Sequence, residues 1–166
     1  MMQSNRPKGV MHKVPLTADK DEAGHIRFRP HSDLWDSNGM FKFHKDDHGM
    51  SKQDFHLVEY VLDDRTGEGL KFPSVPHDAM WVAAIEDPDR PVCPGKDTKS
   101  DYSVLEPISV CDQGQRLIVR NENPRREQWA FTLNFVKGGA DERDVDDYVS
   151  WDPITDNHNG GTMEIM

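Results

Sequence analysis

Histidines are the residues of this chain with the clearest potential for chemistry. There are eight in 166 residues, and the densest group comprises His44, His48 and His56, with Asp54 close by. Two imidazoles and a carboxylate are ligands that zinc and non-haem iron accept. If residues 44–56 form a hairpin, His44 and His56 face each other across two strands. The sequence therefore offers a divalent transition-metal site here, and no other cofactor is predicted.

A solvated loop is the interpretation that the same segment favours over a metal site. His44 and His48 would share a face only on a helix, and no helical pattern is present. Gly49 and the neighbouring charges are typical of an exposed turn. The metal site at His44, His48 and His56 is therefore kept as the alternative.

Sequence signatures of the common catalytic centres are missing from this chain. No serine stands in a Gly-x-Ser-x-Gly elbow, and neither a glycine-rich phosphate loop nor a dinucleotide fingerprint occurs. The adjacent carboxylates Asp63 and Asp64 point to opposite faces of a strand, so they do not converge as an acid–base pair would. We therefore predict no catalytic residue.

Net charge and hydropathy argue against nucleic acids and membranes as partners. The formal net charge is −10, which disfavours contact with nucleic-acid phosphates. No apolar run approaches the roughly 18 residues of a membrane-spanning helix, and no apolar region of a secretory signal follows Met1. Cys93 and Cys111 are interpreted as two reduced thiols, with a disulfide between them as the alternative. These features predict a cytoplasmic protein that binds neither membranes nor nucleic acid.

Short segments with alternating apolar residues recur along the chain between turn signals. They include Ile26–Arg29, Met40–His44, His56–Leu62 and Gln128–Val136, and no stretch shows a long helical period. This pattern predicts an all-β protein. The specific expectation is a single antiparallel β-sandwich, a Greek key of immunoglobulin-like or cupredoxin-like type.

Composition divides the chain into a core and two polar ends. Residues 1–25 contain only three of the residues Leu, Ile, Val and Phe, with four basic and three acidic side chains. Residues 137–166 carry eight acidic and two basic side chains. The sequence thus predicts a polar N-terminal arm over 1–25 and a β-sandwich domain over 26–166, with an acidic segment at 137–166.

The C-terminal part of the chain resembles small, uncharacterised bacterial β-sandwich proteins of cupredoxin-like shape. The resemblance rests on the strand 117–120, the turn 121–124, the aromatic strand 129–135 and the closing segment 152–157. It implies a fold class and supplies no function. A blue-copper site needs Cys, His and Met ligands together, yet no histidine lies between Cys111 and His158. We therefore predict that a copper site is missing.

The functional prediction follows from these observations together. We expect a non-catalytic structural or interaction protein, self-associating or part of a larger assembly, whose partner is another protein or a second copy of itself. Opposite charges on the arm and on the acidic segment would help to steer such association. The alternative is a metal-binding protein or metal-dependent enzyme that uses His44, His48 and His56.

Overall fold

A computed structural model describes residues 6–46, 49–87 and 89–158, which form strands, one helical turn at Pro76–Ala79 and a 3-10 turn at Val145–Asp147. Within these ranges no helix is long and apolar enough to cross a membrane. The strands are β1 (Gly9–Lys20), β2 (Ile26–Pro30), β3 (Met40–His44), β4 (Phe55–Asp64), β5 (Met80–Ala84), β6 (Leu105–Cys111), β7 (Arg116–Asn121), β8 (Glu127–Phe135), β9 (Val149–Trp151) and β10 (Ile154–His158).

The strands make two five-stranded sheets, and both sheets are mixed. Sheet I has the order β2-β1-β4-β7-β6, and sheet II has the order β3-β10-β8-β5, with β9 also paired to β8. The all-β prediction is confirmed, but the prediction of purely antiparallel sheets is wrong, because β1 pairs with β4 and β3 pairs with β10 in parallel. After β2 the chain crosses to sheet II as β3 and returns as β4 on the other side of β1. Such crossovers are how parallel neighbours arise.

One hydrophobic cluster lies between the two sheets and holds them in a sandwich-like arrangement. The ring of Phe41 in sheet II contacts that of Tyr60 in sheet I, with centroids 5.8 Å apart, and Phe28 stacks on Phe135 at 4.7 Å. Tyr60 is fully enclosed, and burial raises the pKa of its hydroxyl. Burying aromatic side chains of this size contributes about 1.5–3 kcal/mol each.

Part of the segment predicted as a polar arm is a strand inside sheet I. β1 lies between β2 and β4, and its side chains Val14, Leu16 and Ala18 are fully buried. These three residues alternate with Pro15 and Thr17, a period of two that places them on the inner face. The hydrophobic core therefore begins before Ile26.

Candidate functional site

Four histidines from four different strands meet at one end of the two sheets. His12 lies on β1 and His56 on β4 in sheet I, whereas His44 on β3 and His158 on β10 are paired neighbours in sheet II. The ring of Phe43 lies between the sheets here, 5.1 Å from the His56 ring and 5.9 Å from the His12 ring. The strand ends thus gather imidazoles that are far apart in the sequence.

His12, His56 and Asn123 form a continuous hydrogen-bonded chain. His12 Nε2 lies 2.8 Å from His56 Nδ1, and His56 Nε2 lies 3.1 Å from Asn123 Nδ2. His56 and Asn123 have no exposed surface, and His12 is half-buried. Buried polar groups are retained where they satisfy one another, so this chain is a specific internal contact.

The amide nitrogen of Asn123 has three neighbours at hydrogen-bonding distance. Asn123 Nδ2 donates toward two backbone carbonyls, Phe43 O at 3.3 Å and His158 O at 3.0 Å, so its amide nitrogen must face this side. His56 Nε2 lies next to the same two protons and shares them with the carbonyls. This series of hydrogen-bonded side chains links β1 and β4 of sheet I to β3 and β10 of sheet II.

The structure places two of the three histidines predicted to bind a metal in different sheets. His44 lies in sheet II, where its ring stacks on that of His158 at 4.3 Å, and His158 Nε2 is 3.1 Å from Asp156 Oδ2. His56 lies in sheet I, so the expected hairpin over residues 44–56 is wrong: β3 pairs with β10, and β4 pairs with β1 and β7.

The metal site itself remains a prediction, because His48 lies outside the described residues. Within the described ranges, no three His, Cys, Asp or Glu side chains are grouped so as to hold a metal ion. Sequence reasoning did not include His12 and His158 in the group. A signal was available for His12, which shares the period-two alternation of Val14 and Leu16 and therefore points to the inner face.

A second buried polar contact joins the sheets close to the histidines. Asn121 on β7 and Asn157 on β10 exchange two amide hydrogen bonds, Nδ2 to Oδ1, of 2.8 and 2.9 Å. Both side chains are fully buried. Because each amide satisfies the other, the pair fixes how the sheets align at this end of the molecule. No reacting group is involved, so the arrangement is a structural one.

The centre of the outer face of sheet II is covered by the chain's own loops. Thr132 and Asn134 point outward from β8 and are nevertheless buried. The Thr132 hydroxyl lies 2.7 Å from both Pro94 O and Asp152 Oδ1, and the Ser150 hydroxyl donates to Asn134 Oδ1 at 2.7 Å. These contacts hold loop segments against β8 and bury the centre of this face.

The outer face of sheet I is partly accessible among the described residues and carries both apolar and charged side chains. Met11 on β1 pairs with Leu57 on β4, and Pro15 pairs with Val61. All four point away from the core, and Met11 is 51% exposed. The side chains of this face are Met11, Lys13 and Pro15 of β1, Phe55, Leu57, Glu59 and Val61 of β4, and Arg116, Ile118 and Arg120 of β7. We call this set the sheet I face.

Two of the three cations on the sheet I face are paired with carboxylates. Arg116 donates to Glu59 at 3.0 Å, and the guanidinium of Arg120 lies 3.7 Å from the centroid of the Phe55 ring while also pairing with Glu122. A cation over an aromatic ring is attracted by the negative face of that ring. With Lys13 added, this surface carries a small positive charge, although the whole chain carries −10.

The two cysteines are free thiols in the structure, as predicted for reduced residues. Partial burial of the sulfur and the nearby carboxylate of Asp152 raise the pKa of Cys93 above its ordinary value. A raised pKa leaves less thiolate at neutral pH, which is the opposite of what a catalytic cysteine needs.

Comparisons with known proteins give no relative from which a role could be transferred. No model of a protein family matches this chain, and no curated protein matches it. The function must therefore be argued from the surfaces of the molecule itself.

Proposed function

We propose that this chain is a non-catalytic structural or interaction protein that associates with copies of itself through the sheet I face. The observation that carries the proposal is the contrast between the two sheets. In sheet II, loops bury the outward-facing centre of β8. On the sheet I face, Leu57 and Val61 of β4 lie diagonally across from Ile118 of β7, with Glu59 between them. Apolar side chains gathered on an accessible face are typical of protein contacts.

A second copy of the chain is the occupant that the charges favour. Two molecules that each carry −10 repel one another unless they meet where the local charge is small. The sheet I face meets that condition, because Arg116 is paired with Glu59 and Arg120 with Glu122. A two-fold contact brings the same surface of both copies together, so Leu57, Val61 and Ile118 of one copy would face the same apolar side chains of the other.

The scaffold that we propose for this role is a β-sandwich of immunoglobulin-like or cupredoxin-like shape with mixed sheets. Its support is the single core shared by the two sheets. We also propose a cytoplasmic location, which is supported by the two free thiols, Cys93 and Cys111.

Sedimentation of the full chain over a range of protein concentrations tests the proposal. We expect a mass at least twice the 19.0 kDa of one chain. The variants Leu57→Glu and Ile118→Glu bury a carboxylate in the contact and should weaken association by about tenfold or more. Val92→Glu is the matched control, because Val92 is 73% exposed and lies in a loop outside the sheet I face.

Two results would overturn the proposal. One is a monomer at every concentration. The other is association that survives Leu57→Glu and Ile118→Glu as fully as it survives Val92→Glu, in variants whose urea unfolding midpoints show that they are folded.

A further inference from the structure

The first half of β1 is an open sheet edge among the described residues. On one side β1 pairs with β4 from Gly9 to Ala18, but on the other side β2 reaches only from Leu16 to Lys20. Within the described part of the chain, no strand lies beside Gly9, Met11 and Lys13 on that second side. A surface groove lined by His12, Lys13, Pro15 and residues 31–34 adjoins this edge and gives a further strand access to it.

The edges formed by β2, β3, β5 and β6 are protected from strand pairing among the described residues. The edge of β3 is bonded by the loop before it, with Lys42 N–H donating to Leu34 O at 2.8 Å. The edge of β5 is bonded at Val82, whose carbonyl accepts from Asp101 N–H at 3.0 Å. β2 is short and carries arginines, and β6 contains Pro107 beside an irregular register. Such features block edge-to-edge contact, so the open half of β1 stands apart from these edges.

The residues that face the open edge can be identified from two hydrogen bonds. Lys8 O accepts from Phe55 N–H, so Lys8 faces β4, and Pro15 O accepts from His31 N–H, so Pro15 faces the other way. Backbone groups alternate in direction along a strand. Gly9, Met11 and Lys13 therefore direct both N–H and C=O to the open edge.

This set of backbone groups is symmetric about Met11. Gly9 and Lys13 lie two residues on either side of Met11, and Pro7 and Pro15 lie four residues on either side. Proline has no N–H, so both prolines mark positions where a pairing ladder ends. Resting on the self-association proposed above, we propose that this edge pairs antiparallel with the same edge of a second copy, in a register centred on Met11.

The side chains fit this register. Met11 would lie opposite Met11 of the second copy, which gives the half-exposed methionine an apolar neighbour. Lys13 would lie opposite Gly9, so that no like charges stand in direct opposition. A Cβ atom at Gly9 would lie 2.7 Å from a ring carbon of Phe55, so a larger side chain there would have to displace that ring.

The two-fold axis of such a pair is perpendicular to the sheet, so both copies present their sheet I faces on the same side. Edge pairing alone gives two chains in one ten-stranded sheet. Edge pairing together with contact between sheet I faces gives four chains with two kinds of two-fold contact. The edge contact and the face contact therefore change the sedimented mass separately.

Cysteine cross-linking tests the register. In the hydrogen-bonded antiparallel pair, Met11 Cα atoms lie about 5.5 Å apart, within the range that a disulfide spans. In a chain with Cys93→Ser and Cys111→Ser, Met11→Cys should form a covalent dimer under mild oxidation at least tenfold faster than Lys13→Cys. Two copies of residue 13 are offset by four residues, or roughly 13 Å along the strands.

Met11→Pro gives an independent readout, because it removes the central edge donor and leaves the backbone groups that face β4 unchanged. We expect it to halve the mass of the assembly, whereas Leu57→Glu acts on the face contact. Equal cross-linking of Met11→Cys and Lys13→Cys, with an unchanged mass for Met11→Pro, would overturn the edge contact and leave self-association standing. A full chain that sediments as a monomer would overturn both.

Discussion

Replacement of Asn123 tests the buried polar contact at the histidine end of the molecule. Asn123 Nδ2 faces the carbonyl oxygens of Phe43 and His158, and its backbone has φ of 43°, in the left-handed region. We expect Asn123→Ala to destabilise the fold strongly for two reasons. It leaves buried acceptors without a donor, and it puts a Cβ-bearing residue without a polar side chain into a conformation that asparagine tolerates better.

The magnitude follows from these two contributions. Each buried acceptor left without a partner costs about 1–3 kcal/mol, and the amide has two protons to give. The left-handed backbone adds about 1 kcal/mol for alanine. We therefore expect Asn123→Ala to lower the free energy of unfolding by about 3–7 kcal/mol. Asn123→Gly, which adopts positive φ freely, should lose about 0.5–1 kcal/mol less.

Urea denaturation followed by tryptophan fluorescence measures both losses. Gln113 is the matched control, since it also has a positive φ, of 55°, but lies exposed in the turn between β6 and β7. Gln113→Ala should cost about 1 kcal/mol at most, which is the backbone contribution alone. The reasoning is refuted if Asn123→Ala costs no more than Gln113→Ala, or if Asn123→Gly restores wild-type stability.

Two further predictions concern titrating groups. Burial acts to raise the pKa of Asp64, but hydrogen bonds from Thr66 and from the Leu70 N–H outweigh it and hold the pKa below 3.8. Because the folded-state pKa of Asp64 is lowered, the stabilisation it gives is present above pH 3.8 and is lost as the pH falls through the folded-state value. In urea titrations, wild type should therefore lose more stability on acidification than Asp64→Asn. Asp152→Asn removes one cause of the raised pKa of Cys93, and iodoacetamide should then alkylate that thiol about twofold faster at pH 8. An unchanged rate would show that Asp152 does not act on this thiol.

Most strands could be predicted because their signal is local. β8 alternates Trp129, Phe131 and Leu133 on one face, and the structure places these three side chains in the core. Alternation reports which side of a strand is buried. It does not report the neighbour of that strand, so the parallel pairing of β1 with β4 was not predicted.

Pairing between strands that are distant in the sequence brings together the residues at the end of the molecule where the four histidines meet. His12 and His56 are 44 residues apart in the sequence, and His56 and Asn123 are 67 apart, yet the crossing of the chain between the sheets brings them into hydrogen-bonding distance. The nearness of His44 to His56 in the sequence was misleading, because β3 and β4 enter different sheets.

The sequence by itself determined the all-β class, most of the strands and the acidic balance, because these depend on residue type and on spacing within a few positions. Only the tertiary structure decided that β1 lies inside sheet I, that His12, His56 and Asn123 are hydrogen-bonded in series, and that half of one edge of β1 has no strand beside it among the described residues. Strand order and coverage depend on contacts between distant segments. No local pattern encodes those contacts, because many pairings bury the same alternating side chains equally well.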